Sequence, residues 1–362
     1  MKKILCLIDA LGMGGAERQM IGLALLLKLR GYRVTLLTYN DHNSYVELVQ
    51  RCGLSSMTLK VKSSPLSKLM AVRHYIMENG GYDCVIAYKT GPNIIGCLLR
   101  LMGMKFRLIV SERNTTQRIR RMEKILFGLY RKADYVVPNS QSQANFIAEH
   151  FPWLKQKTIV ITNFTDTKHF SANYTEKGDM VKILTTARVA EQKNILRFLD
   201  AVGLLRKRGG MNVHFDWYGN VQSGEEAYGE EVFRKVKEMN LEDMITFHPA
   251  TPKILEHYQQ CDIFCLPSNY EGFPNVICEA MSCGKPVVCS RICDNPYIVK
   301  EGENALMFDH TNVEDMADKI MAMCEKSQEE LSRWGHRSRE IAEELFSMDV
   351  FVGKYIKLIE NC

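Results

Sequence analysis

Short runs of apolar, β-favouring residues recur along the chain, and longer stretches with three-to-four-residue apolar spacing separate them. In the first half the runs fall at residues 4–8, 34–38, 84–88, 108–111, 135–137 and 158–161. Helical spacing covers 16–30, 93–102, 121–132 and 142–149. The second half repeats the scheme, with strands predicted at 182–186, 213–218, 245–248, 262–266 and 286–290 and helices at 194–206, 230–238, 254–259, 275–283 and 313–325. Strands that alternate with helices build parallel sheets covered on both faces. The fold class is therefore α/β, with two doubly wound domains and a boundary in the polar stretch 166–179. Such sheets bind ligands at the carboxyl ends of their strands, so a cleft between the halves is the expected site.

The opening Met1-Lys2-Lys3 and the apolar run behind it resemble a signal peptide. Asp9 interrupts that run after five residues, which favours a buried first strand. No stretch of 18 uncharged apolar residues occurs, so membrane contact is expected to be peripheral. Twelve scattered cysteines with no C-x-x-C spacing read as reduced core residues of a cytoplasmic protein.

Charge changes the picture. The whole chain is only +5, yet residues 1–165 carry 24 Lys+Arg and 10 Asp+Glu, net +14, and the remainder is −9. A basic half points to an anionic partner. Cations concentrate at Arg113, Arg118, Arg120, Arg121, Lys124, Arg131 and Lys132. Met122, Ile125 and Leu129 share one helical face there, with Phe127 and Tyr130 off it. A basic amphipathic helix of this kind suits an anionic membrane surface, or else covers the core with its cations in water.

Three loops after strands carry candidate chemistry. Asp9-Ala10-Leu11-Gly12-Met13-Gly14-Gly15-Ala16-Glu17 follows the first strand and opens a helix. Its glycines admit close backbone approach to a ligand, and the helix start offers N–H groups to an anion. Glu17 stands where a dinucleotide fingerprint needs its third glycine, which disfavours an oxidoreductase. Arg188 and Lys193, five residues apart after strand 182–186, can clamp a diphosphate or form surface ion pairs. The third loop sets Glu271 before a helix and Glu279 inside it. Gly272 and Pro274 shape the turn, and N–H groups at Phe273, Asn275 and Val276 are free for an anion or sugar oxygen. Carboxylates so placed accept hydrogen bonds from vicinal hydroxyls.

The segment Glu271-Gly272-Phe273-Pro274-Asn275-Val276-Ile277-Cys278-Glu279, followed by Gly284-Lys285-Pro286, resembles the E-x7-E signature of retaining GT-B glycosyltransferases and looks most like family four. Gly14-Gly15-Ala16-Glu17 resembles that family's N-domain glycine loop. Asn163-Phe164-Thr165-Asp166 resembles its interdomain segment, and the last residues from Phe346 resemble its C-terminal helix, which crosses back onto the N-domain.

The resemblance implies two Rossmann-like domains facing across a cleft. Residues 1–165 would bind the acceptor, 166–345 the nucleotide-sugar, and 346–362 would form the crossing helix. It implies that Glu279 binds ribose hydroxyls and that Arg188 and Lys193 stabilise the departing diphosphate. Glu271, with backbone N–H groups at Phe273 and Asn275, would contact the transferred sugar. Pro274 and Val276 would complete that side, and Gly14 and Gly15 would line the cleft opposite. A nucleotide-sugar donor, UDP-linked by family frequency, is implied, with no metal and no other cofactor. Nucleic acid is not an expected partner.

Two departures stand out. The loop Ser111-Glu112-Arg113-Asn114-Thr115 lacks the histidine many family members carry, leaving Arg113 as a candidate for an acceptor phosphate or as a surface arginine. Cys293-Asp294 replaces small residues near the sugar pocket. The basic half fits a saccharide acceptor linked to polyprenyl diphosphate at the inner membrane face, as in surface polysaccharide assembly. A nucleotide-sugar epimerase of the same fold and a nonenzymatic nucleotide-sugar-binding subunit are the alternatives.

Overall fold

The computed structural model describes residues 1–12, 14–41, 44–61, 64–113, 119, 121–174, 178–210 and 212–361, without the side chain of Met122. Met13 of the glycine loop, Asn114, Thr115, Arg118 and Arg120 of the basic segment, and part of the polar stretch 166–179 lie outside the described residues. The chain divides into two compact units, Met1–Phe164 with Met348–Cys362, and Thr165–Ser347.

The first unit holds a six-stranded sheet of β1 (Lys3–Leu7), β2 (Arg33–Thr38), β3 (Ser55–Thr58), β4 (Cys84–Tyr88), β5 (Arg107–Glu112) and β6 (Tyr135–Pro138). The second holds β7 (Val181–Thr186), β8 (Val213–Tyr218), β9 (Ile245–His248), β10 (Ile263–Leu266), β11 (Val287–Ser290) and β12 (Ala305–Phe308). The spatial orders are β3-β2-β1-β4-β5-β6 and β12-β11-β10-β7-β8-β9, and every pairing within them is parallel. Numbered within its own unit, each sheet runs 3-2-1-4-5-6. The two units therefore share one doubly wound topology.

Side chains of a strand alternate between faces. In β1, Ile4 and Cys6 pack with Met20, Leu23 and Leu27 of the helix Gly15–Leu29 and with Phe351 and Tyr355 of the helix Met348–Glu360. Leu5 and Leu7 face the opposite layer, where Val72, Cys97, Phe127 and Tyr130 lie. That layer is built from the helices Pro65–Glu78, Thr90–Leu101 and Arg121–Leu129, each packed on the next. In the second unit, Ile183, Cys265 and Val288 pack with Phe198 and Trp217. Leu184, Phe264 and Leu266 face Ile277, Met281 and Phe346.

Several expectations are corrected. Residues 158–161 form no strand. Ile159 and Ile161 donate to Val136 and Pro138, but the ladder stays one-sided apart from a single bridge at Thr158. Strands β3 and β12 were not expected. Both are sheet edges, and β3 reads Ser-Ser-Met-Thr, with too little apolar content to signal a strand. The helix Pro65–Glu78 starts at a Ser64 cap with proline at its first position. Gln328–Phe346 starts with a Ser327/Glu330 capping box. Both are sequence-readable start signals. The last helix begins at Met348, because Ser347 is extended and Phe346 closes the helix before it.

In the basic segment, Phe127 and Tyr130 are the buried side chains and Ile125 points outward. The apolar side facing the core is thus the one holding Phe127, not the one holding Ile125. Among the described residues the cysteines form no disulfides and nearly all are buried, and burial pushes the Cys6 thiol up to about 12. No helix among them is long and apolar enough to cross a membrane.

Candidate active site

In a doubly wound sheet, the strand order reverses between strand one and strand four, and the loops that leave those two strands splay apart to form a crevice. In the second unit those strands are β7 and β10. The loop after β7 carries Arg188 and Lys193; the loop after β10 carries Glu271.

Hydrogen bonds stitch the two loops together. The Asn269 N–H donates to the Gln192 carbonyl (2.8 Å), and the Gln192 side chain donates to the Tyr270 carbonyl (2.9 Å). The side-chain amides of Asn269 and Asn194 donate to the Glu191 and Pro267 carbonyls. Asn194 occupies the left-handed region at φ 59°, a conformation asparagine tolerates. These contacts bring Lys193 Nζ to 2.6 Å from Glu271 Oε1, and the Ser268 hydroxyl donates to the same oxygen at 2.6 Å. Both charged side chains are about nine-tenths buried.

Glu279 lies in the second turn of the helix Asn275–Ser282. Tyr258 donates to its Oε2 at 3.1 Å, and the Tyr258 hydroxyl also meets Thr186 Oγ1 at 2.7 Å. Burial, then the Glu279 charge, hold the Tyr258 phenol well above its ordinary value, so it remains a donor. Glu279 is buried and fixed in place before any ligand arrives. The helix stops where Gly284 takes φ 72°, and Lys285 and Gly284 donate back to Ala280 and Met281. Pro274 is the residue just before the helix rather than its first. Phe273 is buried with its ring edge-on to Phe346.

Of the three N–H groups expected to be free, that of Asn275 is not: it donates to the Phe273 carbonyl at 3.0 Å, closing a tight turn. Those of Phe273 and Val276 have no acceptor among the described residues.

Arg188 is exposed and lines a cavity of about 620 Å³ with Tyr218, Asn220, Gln222, Ser223 and Ala250. Gly219 permits this shape, since a Cβ there would lie 2.0 Å from the Ala187 carbonyl oxygen. Arg188 and Lys193 therefore do not form one ready clamp. Arg188 faces open space, whereas Lys193 is engaged by Glu271. Cys293, at φ 43°, sits beside Glu271 and is hydrogen-bonded to its backbone, with burial raising its thiol.

The first unit repeats the arrangement between β1 and β4. Lys89, the first residue past β4, reaches Asp9 at 3.0 Å and Glu17 at 2.5 Å from the loop and helix after β1. Burial alone lowers the Lys89 pKa, but its two carboxylate partners outweigh that and raise it. Its backbone is strained at φ 75°. Gly14 caps the helix that Gly15 begins, and a Cβ on Gly14 would lie 2.2 Å from Glu17 Oε2. The glycine thus makes room for the protein's own carboxylate, which covers the helix start.

Arg113 is not a surface arginine. It is buried, donates to Asn163 and to the Tyr355 hydroxyl at 2.9 Å each, and lies 3.9 Å from the Tyr88 ring centre. It pins the Met348–Glu360 helix to the sheet edge.

Ser268, Tyr258 and Lys89 were not singled out from sequence. Lys89 was findable, since it directly follows strand 84–88 at a point of strand-order reversal. Ser268 and Tyr258 act through contacts that sequence spacing does not encode. No group of three His, Cys, Asp or Glu among the described residues is arranged to hold a metal ion.

Comparisons with known proteins bear on both units. A model described as glycosyl transferases group 1 matches residues 166–341, and one described as glycosyltransferase family 4 matches residues 13–169. The N-acetylgalactosamine-N,N'-diacetylbacillosaminyl-diphospho-undecaprenol 4-alpha-N-acetylgalactosaminyltransferase of Campylobacter jejuni is 27% identical, over 80% of this chain and 81% of that protein. The amylovoran biosynthesis glycosyltransferase AmsD of Erwinia amylovora is 27% identical, over 84% and 88%. Among solved structures, a glycosyltransferase from Rickettsia africae superposes with a TM-score of 0.87 at 17% identity, covering 100% of this chain and 99% of that one. Anabaena Alr3699/HepE in complex with UDP gives 0.84 at 19%, covering 99% of each. With both halves matched in sequence and the two doubly wound units matched in structure, the chain belongs to the group 1, family 4-like glycosyltransferases of GT-B fold.

Proposed function

We propose that this glycosyltransferase takes a hexose or N-acetylhexosamine from a UDP-sugar and transfers it, with retention at the anomeric carbon, to a sugar acceptor linked to polyprenyl diphosphate. The observation that carries the donor side is the pair of pre-set carboxylates at one sheet edge: Glu279 fixed by Tyr258, and Glu271 fixed by Lys193 and Ser268. Glu279 accepts from the ribose hydroxyls and Glu271 from hydroxyls of the transferred sugar. Arg188, exposed in its cavity, takes the diphosphate, and Lys193 shares its charge between Glu271 and that leaving group. The free N–H groups of Phe273 and Val276 add donors at a helix start.

In the transfer, the bond from the anomeric carbon to the diphosphate oxygen breaks as the bond to the acceptor oxygen forms. The acceptor proton passes to the departing diphosphate. Fixed cations favour this step because they stabilise the charge that develops on the leaving group. The reaction so drawn uses side chains and needs no metal. Support for UDP and for a lipid-linked acceptor comes from relatives: a solved neighbour holds UDP, and the Campylobacter relative is named for an undecaprenyl-diphosphate-linked substrate.

Thermal-shift titration against UDP, GDP, ADP and their sugars tests the donor side. At about 100 times its dissociation constant, the right nucleotide should add roughly 2.7 kcal/mol of stability. Glu279→Ala and Arg188→Ala should abolish that shift. No shift with any nucleotide, or an undiminished shift in both variants, overturns the assignment. The anomeric configuration of the product, read by NMR, tests retention.

A further inference from the structure

We propose that Cys293 is a positioning residue for the transferred sugar: its side chain sets Glu271, and through Glu271 it decides which sugar the donor site accepts. The inference rests on the reading of Glu271 as the carboxylate that meets that sugar. All the groups involved belong to the second unit.

Glu271 has one committed oxygen and one open oxygen. Lys193 and Ser268 both donate to Oε1, each at 2.6 Å. Oε2 has no partner among the described residues, although Glu271 is only 7% exposed. A buried carboxylate oxygen without a donor lacks a hydrogen bond that a ligand hydroxyl can supply. A site built this way rejects a sugar whose hydroxyl does not reach it. Its discrimination therefore depends on where the protein holds Oε2.

Two loops fix that point. The loop after β7 grips the side chain through Lys193. The loop after β11 grips the backbone, because the Glu271 N–H donates to Cys293 Sγ. That second loop is itself well anchored. The Arg291 N–H donates to the Phe308 carbonyl of β12 at 2.8 Å, and the Asn295 side chain donates to the Ser290 carbonyl at 2.8 Å. The Ser290 hydroxyl donates to the Leu266 carbonyl of β10 at 3.4 Å. The sulfur is thus presented from a frame tied to both neighbouring strands.

The backbone shows that residue 293 does more than make a turn. Cys293 stands at φ 43°, in the left-handed region that glycine enters freely and a residue with a Cβ does not. Glycine would serve the turn alone with less strain. Cysteine adds the sulfur, a large and weak acceptor that holds an N–H farther off than oxygen does. A displacement of about 0.5 Å is enough to spoil a preorganised contact. Burial raises the Cys293 pKa, so the group facing Glu271 is a neutral thiol and sets no charge against the carboxylate.

Calorimetry on the full chain tests this, with UDP, UDP-glucose, UDP-galactose, UDP-N-acetylglucosamine and UDP-N-acetylgalactosamine as ligands. Wild type should prefer one sugar over its epimer. Cys293→Gly and Cys293→Ala should keep the UDP affinity within about 2-fold and lose about 10-fold of that preference. Cys293→Ser, which retains an acceptor, should come back to within about 3-fold of wild type. Melting temperature separates this role from a merely structural one. Cys293→Gly should melt no lower than wild type, since it relieves the left-handed backbone, and still lose discrimination. Equal weakening of UDP and all four sugars, or a lower melting temperature in Cys293→Gly, assigns Cys293 to structure alone and overturns the inference. Unchanged discrimination in both the Gly and Ala variants, or a wild type that binds the four sugars alike, also overturns it and leaves the UDP reading standing. A wild type that binds no UDP overturns the proposed donor, and this inference with it.

Discussion

Replacing Lys193 with methionine, of similar length, strands Glu271 in the second unit. The pair is separated by 2.6 Å with about a tenth of each side chain exposed. At an effective dielectric of about 20 the gross attraction is roughly 6 kcal/mol, most of it set against the desolvation of both groups. Removing one partner of such a pair costs about 3–5 kcal/mol, because the remaining charge stays buried. The Ser268 hydroxyl still donates to Glu271, which places the expected loss near the lower figure, about 3 kcal/mol. Urea unfolding reads it. Trp217 and Trp334 are buried in the second unit, and Trp153 of the first unit is replaced by phenylalanine to silence it. With a slope of about 2 kcal/mol per molar, the midpoint should fall by about 1.5 M. Lys193→Met/Glu271→Gln, which removes both charges, should recover to within about 1 kcal/mol of wild type. Under the proposed mechanism it should still transfer no sugar. A shift below about 0.5 M in the single variant, or no recovery in the double, refutes the reasoning. The pair would then be hydrated and Lys193 free to act as an ordinary surface cation.

Tyr355→Phe should destabilise the first unit by about 2 kcal/mol, since Arg113 and the Tyr88 hydroxyl both lose a buried partner. Amide exchange should show the Met348–Glu360 helix opening first, and unchanged protection there would count against the pinning role of Arg113. Glu112 is buried beside Asn93 and Tyr130, and burial raises its carboxyl pKa despite those hydrogen bonds. A raised carboxyl means the fold prefers the protonated form: stability is fully present below the unfolded value, near pH 4.5, and is lost as pH climbs through the folded one. Glu112→Gln should therefore gain stability over wild type as pH rises from about 4.5 to 7. A gap that stays constant across that range in chemical unfolding would show that Glu112 does not titrate there.

The alternation of strands and helices was legible because parallel strands buried on both faces are continuous apolar runs, as in 84–88 and 213–218. One edge strand, β3, escapes that signal. Ser55–Thr58 faces water and has no need of apolar residues. The family was legible because Glu271 and Glu279 are locked eight positions apart by one turn and one helix. What holds them was not. Tyr258 reaches Glu279 across 21 positions, and Lys193 reaches Glu271 across 78, so only the fold brings the partners together. Arg113 illustrates the converse. Its sequence neighbours mark it as part of a basic cluster, yet a tyrosine 242 positions away makes it a core residue.

The chain passes between the two units twice, at 164–165 and at 347–348. The Thr165 N–H donates to the Phe346 carbonyl at 2.8 Å, so the second unit begins and ends at neighbouring points. In topological terms it is an insertion, a loop carried by the first unit whose ends are already closed. Excising it would leave a short gap with little closure entropy to meet. Expressed alone it would begin and end at one place. The second unit is thus a cassette that could be exchanged between related chains by joining at two adjacent points. The first unit has no such freedom, because it acquires its last helix only after the cassette has been made.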